Sequence, residues 1–216
     1  RWRALNKPVL SRLDRPNSVE SARDKFIGMD QDYLSDSCVI RADGSRHMLD
    51  RVDFEPLFFA PFVSSVMRVE DSWIDHNGHL NMAYYNVLFD RAVDEAYELM
   101  GLGPEYLDTR KHSTFTAEVH VRYLRELHAG DPVRVTFQLL DYDDKRIHYF
   151  EQLFHAQEGW VSATSENMTL HVDMAAKKVA PLPPDVARRL ASMKASHKRL
   201  PRPEAVGRSI GMPGRA

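Results

Sequence analysis

Hydrophobic and polar positions fall into regular patterns only from Phe62 onward. Between Arg1 and about Phe58, charges and scattered apolar residues alternate without a sustained period. In Asn81–Met100, by contrast, Met82, Tyr85, Phe89, Val93, Ala96 and Met100 recur in steps of three and four, the spacing of one helical face. Gly101 and Pro104 supply the stop. Leu88, Ala92 and Leu99 widen the apolar arc, which predicts a helix buried on most sides. Asn86, Asp90 and Asp94 draw a narrow polar line along it. Phe62–Glu70 reads as one strand rich in Val, Phe and Ser. Ser113–Tyr123 alternates Phe115, Ala117, Val119, Val121 and Tyr123 with polar residues, as a half-buried strand does. Three further strands, Val133–Leu140, Arg146–Gln157 and Trp160–Val172, are separated by turn signals at Ala129–Pro132, Asp143–Lys145 and Glu158-Gly159. Pro181–Pro184 leads into a short amphipathic helix with Val186, Leu190 and Met193 on one side. The Pro- and Gly-rich tail from Arg199 reads as disordered.

A strand, one long helix and then four consecutive antiparallel strands mean an α+β fold, a curved antiparallel sheet wrapped around a central helix. Three parts are expected: residues 1–58, a poorly specified extension, linker or remnant of a longer polypeptide; residues 59–180, the folded domain; and residues 181–216, a short helix and tail. The chain has 216 residues, 43 % apolar and 28 % charged, enough for a packed core. Lys+Arg 29 against Asp+Glu 31 gives net −2, which argues against a nucleic-acid partner. A single cysteine, Cys38, excludes an intrachain disulfide and cysteine-rich zinc modules. No run of 18 apolar residues and no secretory pattern is present, so no membrane partner and a reducing, cytoplasmic setting are expected.

The segment Asp75-His76-Asn77-Gly78-His79-Leu80-Asn81 sets a carboxylate, two imidazoles and amides just ahead of the long helix. A helix start offers unpaired N–H groups and partial positive charge, which can polarise a carbonyl. A nearby carboxylate can attack that carbonyl or deprotonate water. The plainer reading is that Asn81 is an N-cap and Asn77-Gly78 a turn. A calcium loop would put Trp73 and Tyr84 where carboxylates are required. His76 and His79 lack the spacing of a helical zinc pair. No metal and no cofactor is therefore expected.

The run from Asp75 to Ala92 (DHNGHLNMAYYNVLFDRA) resembles the signature of hotdog-fold acyl-CoA thioesterases of the 4-hydroxybenzoyl-CoA thioesterase type. Phe89-Asp90-Arg91-Ala92 falls where that family has its Phe/Met-Asp-Ala cluster, and Tyr123–Asp131 is similar to its strand and Gly-Asp turn. The resemblance spans roughly Phe62–Val172. It implies Asp75 as nucleophile or general base and the backbone N–H near Asn81 and Met82, at the helix start, as the group that activates the thioester carbonyl. Trp73, Tyr84 and Tyr85 would border the substrate. Asp75, Asn77 and His79 also resemble the Asp-x-Asn-x-His loop of plant acyl-ACP thioesterases, where Asn77 and His79 would orient groups and Glu126 would take part. The family binds acyl-CoA at subunit interfaces, which implies a homodimer or dimer of dimers, with Glu118 and Glu126 able to reach across.

Leu124–Val133, Asp141–Phe150 and His171–Met174 resemble the betainyl-CoA thioesterases of carnitine breakdown, some of them fused to a carnitine dehydrogenase. Hydrolysis of betainyl-CoA to glycine betaine and CoA is the activity this implies. Trp73, Tyr84, Tyr85, Tyr149, Phe150 and Trp160 then read either as core or as a cluster suited to a quaternary ammonium. Two alternatives stand beside it. A hotdog enoyl-CoA hydratase or dehydratase would carry Asp-x-Asn-Pro-aliphatic-His, and this chain lacks the Pro and is one residue shorter between Asp75 and His79. A non-catalytic acyl-CoA-binding module would use the same pocket without turnover.

Overall fold

The structure is a computed structural model that describes residues 60–212, together with two short strands, β1 (Val39–Ile40) and β2 (Arg46–His47). The chain divides into two units, residues 1–53 and 54–216. In the first, β1 and β2 pair antiparallel. Cys38 lies outside the described residues.

The second unit holds β3 (Phe62–Val63), β4 (Met67–Arg68), a short 3-10 turn (Asp71–Trp73), α1 (Met82–Met100), α2 (Pro104–Arg110), β5 (His112–Tyr123), β6 (Pro132–Tyr142), β7 (Arg146–His155), β8 (Val161–Asp173), β9 (Lys178–Val179) and α3 (Pro184–His197). The sheet runs β3-β6-β7-β8-β5, with β4 also on β6 and β9 on β8. Every pairing is antiparallel, and the α+β class expected from the element order is what forms.

The strand expected over Phe62–Glu70 is two strands. Phe62 pairs with Phe137 but Met67 with Val133, a slip of one residue. Ser64 accommodates the slip: its N–H donates to Val135 O at 2.9 Å, and its Oγ accepts from the Val135 N–H at 3.0 Å. A hydroxyl thus satisfies a backbone donor that would otherwise be orphaned.

Asn81 Oδ1 caps α1 by accepting from the Ala83 N–H at 3.0 Å. Gly101 closes it at φ 77° and returns its N–H to Tyr97 and Glu98 carbonyls, a left-handed stop that suits glycine. Tyr85, Leu88, Phe89 and Ala92 pack with Val133, Val135, Leu153 and Ala163. Val93, Ala96, Tyr97 and Met100 pack with Phe137, Ile147 and Tyr149 and with Val186, Leu190 and Met193 of α3. Burial on most sides is corrected, however. Met82, Asp90, Asp94, Glu98 and Leu99 are exposed in the described chain, because the sheet covers α1 from one side only.

Three other features differ from expectation. Pro104 does not merely stop α1; it opens α2, since Pro fits the first helical turn. The edge strand β5 leaves Phe115, Val119 and Tyr123 exposed instead of half-buried. The tail after Arg199 is hydrogen-bonded to the sheet, with Gln138 Nε2 donating to Pro201 O at 3.3 Å and the Gly207 N–H to Glu166 Oε2 at 2.7 Å.

Candidate active site

The loop ahead of α1 folds back on itself. Ile74 and Leu80 form an antiparallel bridge. The Asp75 N–H donates to His79 O, and the Gly78 N–H to Asp75 O, both at 3.0 Å. Gly78 takes φ 80°, which a Cβ would penalise. Within this turn Asp75 Oδ1 accepts from the Asn77 N–H at 2.8 Å. The loop ends are tied down by Leu80 N–H to Leu127 O at 2.8 Å and Asn81 N–H to Trp73 O at 3.0 Å. The carboxylate is therefore held by backbone geometry.

Asp75, His79, Met82, Tyr85, Tyr123 and Glu126 line one cleft of about 420 Å³ beside the start of α1, with Leu80, Leu124 and Arg125. Of the first amides of α1, those of Ala83 and Tyr84 donate to Asn81 oxygens. The Asn81 N–H is spent on Trp73 O. The Met82 N–H, the first of the helix, is given to none of these acceptors and carries the partial positive charge of a helix start. Of the N–H groups near Asn81 and Met82, the one at Met82 is the candidate to meet a carbonyl. Tyr123 Oη donates to Met82 O at 3.1 Å, and Tyr85 meets Tyr123 edge to face with centroids 5.0 Å apart. Burial pushes the Tyr85 hydroxyl up from its ordinary value, so it stays a neutral hydrogen-bonding group. A carboxylate, the start of a helix and hydroxyl groups around one cleft can polarise a carbonyl and deliver a nucleophile to it.

Not all expected residues converge. The Asn77 side chain is not among those lining the cleft; its backbone N–H is what reaches Asp75. Trp73 and Tyr84 stack on each other at 5.4 Å, with the Arg91 guanidinium 5.0 Å over Trp73, and neither borders the cleft. Asn81 serves as cap and anchor. His79 lines the cleft and stands edge-on to His128 at 5.3 Å. Tyr123 and Arg125 were not foreseen; the signal was their position beside Glu126 at the end of β5. The Arg125 guanidinium sits 4.0 Å over the Trp160 ring. Among the described residues no group of three or more His, Cys, Asp or Glu could hold a metal ion, and no helix is long and apolar enough to cross a membrane.

Comparison with known proteins adds four findings. Residues 69–190 match the family described as the thioesterase-like superfamily. The chain is 40 % identical over 141 residues to the betainyl-CoA thioesterase of Pseudomonas aeruginosa, covering 65 % of this chain and 89 % of that one. It is 38 % identical over 144 residues to the L-carnitine dehydrogenase/betainyl-CoA thioesterase of Rhizobium meliloti, covering 67 % of this chain but only 29 % of that longer protein. A Staphylococcus aureus protein solved in complex with CoA superposes with a TM-score of 0.66 at 28 % identity, covering 72 % of this chain and 98 % of that one.

Proposed function

The chain belongs to the thioesterase-like superfamily, with its hotdog fold and acyl-CoA thioester hydrolase activity, and we propose that it cleaves betainyl-CoA to glycine betaine and CoA with Asp75 at the reacting centre. The observation that carries the mechanism is the cleft that Asp75 lines together with Met82, the first residue of α1. The substrate carbonyl oxygen accepts from the Met82 N–H, where the helix dipole stabilises the charge that develops on oxygen as the carbonyl is attacked. Asp75 then acts in one of two ways. Its carboxylate adds to the carbonyl carbon, the C–S bond breaks, CoA leaves as thiolate, and water opens the resulting anhydride. Alternatively it takes a proton from a water molecule that adds directly. Both routes yield a carboxylate and CoA thiol, and neither requires a metal.

The relatives' names support the choice of acyl group. The aligned relatives include a betainyl-CoA thioesterase and fusions with L-carnitine dehydrogenase, names that support a role in carnitine breakdown, and a cytoplasmic setting is proposed with it. His79 and Glu126, at the rim of the cleft, are proposed to assist in orienting water or carbonyl. A homodimer or dimer of dimers is proposed as the working assembly, because among the described residues β5 ends the sheet and carries exposed Phe115 and Val119, a surface that calls for cover.

The test is hydrolysis of a panel of acyl-CoA thioesters, betainyl-CoA included, read as released thiol. Betainyl-CoA is expected to give the highest kcat/KM. Single turnover in ¹⁸O-water separates the routes: label appears in the Asp75 carboxyl only if an anhydride forms. A panel in which betainyl-CoA is not cleaved overturns the proposed substrate.

A further inference from the structure

A second cavity, of about 320 Å³, opens between α1 and the sheet further along the same helix. Two carboxyl groups wall it, Asp90 from α1 and Glu151 from β7. Among the described residues no lysine or arginine lines it. Glu151 is 1 % exposed. Asn167 Nδ2 donates to Glu151 Oε2 at 3.0 Å and to Ser165 Oγ at 2.9 Å. The other oxygen, Glu151 Oε1, is buried without a hydrogen-bond partner among the described residues. A buried carboxyl with one oxygen unsatisfied is costly unless something supplies the missing partner. An amide at this position would keep a bond to Asn167 at lower cost, so packing alone does not call for an acid. Tyr149 also lines the cavity, its ring stacked on Phe137 at 4.6 Å.

We propose that this cavity is the seat of a cationic acyl end, a subsite for a quaternary ammonium held between Asp90, Glu151 and the Tyr149 ring. The proposal rests on the thioester hydrolase reading and names the part of the acyl group that the enzyme recognises. A trimethylammonium offers no N–H to donate, so it is held by charge and by aromatic contact. Asp90 supplies charge and Tyr149 a ring, and Glu151, which burial keeps protonated when no cation is beside it, ionises as the cation enters. An anionic acyl end would instead be repelled by Asp90.

The placement also fits. Met82 and Tyr85 of the first cleft and Phe89, Asp90 and Val93 of the second follow one another along one side of α1 at helical spacing. Asp90 lies eight residues beyond Met82, about 12 Å along the axis, and helical side chains lean back toward the N-terminus. A carbonyl hydrogen-bonded to the Met82 N–H, one methylene, and a methylated nitrogen in contact with a carboxylate span roughly 10 Å. A short acyl group therefore has the length to reach from the first cleft to the second.

The experiment compares betainyl-CoA with 3,3-dimethylbutyryl-CoA, in which a tert-butyl group replaces the trimethylammonium at nearly the same shape. The wild-type ratio of kcat/KM values is expected to favour the cation, and Glu151→Gln and Asp90→Asn are each expected to cut that ratio about tenfold. A ratio unchanged in both variants overturns the proposal. Asp90 is exposed, so Asp90→Asn carries the test should Glu151→Gln fail to fold. Calorimetric titration with tetramethylammonium chloride, against sodium chloride as control, is independent of turnover. Saturable binding weakened in the variants supports the subsite, and no binding overturns it. If neither thioester is hydrolysed while tetramethylammonium binds, the hydrolase reading falls and the cation site stands.

Discussion

Asp75 Oδ1 accepts a hydrogen bond from the Asn77 N–H at 2.8 Å, so a backbone amide two residues on positions the carboxylate at the mouth of the cleft. This local turn survives replacement by asparagine, whose Oδ1 accepts the same bond, though more weakly than a carboxylate. Asp75→Asn is therefore expected to keep its fold and thermal midpoint while losing the nucleophile or base. A drop in kcat of about 10³-fold is expected, measured by thiol release alongside circular dichroism. Hydrolysis within tenfold of wild type would remove Asp75 from the reacting centre.

Asn77 contributes its main chain to that turn, and its side chain does not line the cleft. Asn77→Ala leaves the amide in place, so kcat/KM is expected to stay within about threefold of wild type. A loss as large as that of Asp75→Asn would mean that the side chain swings in to work on substrate.

Much of this arrangement was legible in the residues. The long helix, its Asn81 cap and Gly101 stop, and all four long strands followed from period and turn chemistry, because these signals are local. What escaped depended on partners distant in sequence. The break at Ser64 is set by the register of β6. The helical start at Pro104 uses the same residue that reads as a stop. The open side of α1 reflects where the sheet ends, which no helical period encodes. In the site, Asp75 and Tyr85 were legible from the loop and helix, whereas the exclusion of Trp73 and Tyr84 follows from their stacking on each other. Glu151 went unnoticed although its signal was present: it stands between Tyr149 and Leu153 on the alternation that faces inward, where an acid is out of place.

On β5, which ends the sheet among the described residues, Phe115 and Val119 are 50 % and 45 % exposed. Light scattering after size exclusion is expected to give at least twice the mass of one chain. Phe115→Arg, which adds charge to that edge, is expected to shift the mass toward one chain. A wild-type mass of a single chain at micromolar concentration would end the assembly proposal.

Arg110 and Asp185 join α2 to α3 through two bonds of 2.9 and 2.6 Å. The Arg110 side-chain hydrogen bonds hold the Asp185 carboxyl down at about 2, against an ordinary 3.8. A depressed carboxylate stabilises the fold above its unfolded value and loses that contribution as pH falls through its folded one. The side chains are 43 % and 38 % exposed, so screening keeps the effect small. Asp185→Asn is expected to lower the thermal midpoint slightly at pH 6–7, with the gap from wild type closing as pH falls from about 4 toward 2. A gap independent of pH would assign the loss to packing.

Glu151 gives the opposite sign. Burial, with Asp90 next, pushes its carboxyl well above the ordinary 4.5. The folded chain then keeps a proton that the unfolded chain has released. Stability attributable to this group falls as pH rises above about 4.5, until the folded-state value is passed and the carboxylate is buried as an anion. Glutamine carries no such penalty and can keep a bond from Asn167. Glu151→Gln is expected to match wild type in thermal midpoint near pH 4 and to exceed it by a few degrees at pH 7–8, measured by differential scanning fluorimetry at constant ionic strength. An advantage equally large at pH 4 would trace the gain to packing, and a wild-type midpoint that rises from pH 5 to 8 relative to the variant would mean that Glu151 is stabilised as an anion, reversing the direction argued from its burial.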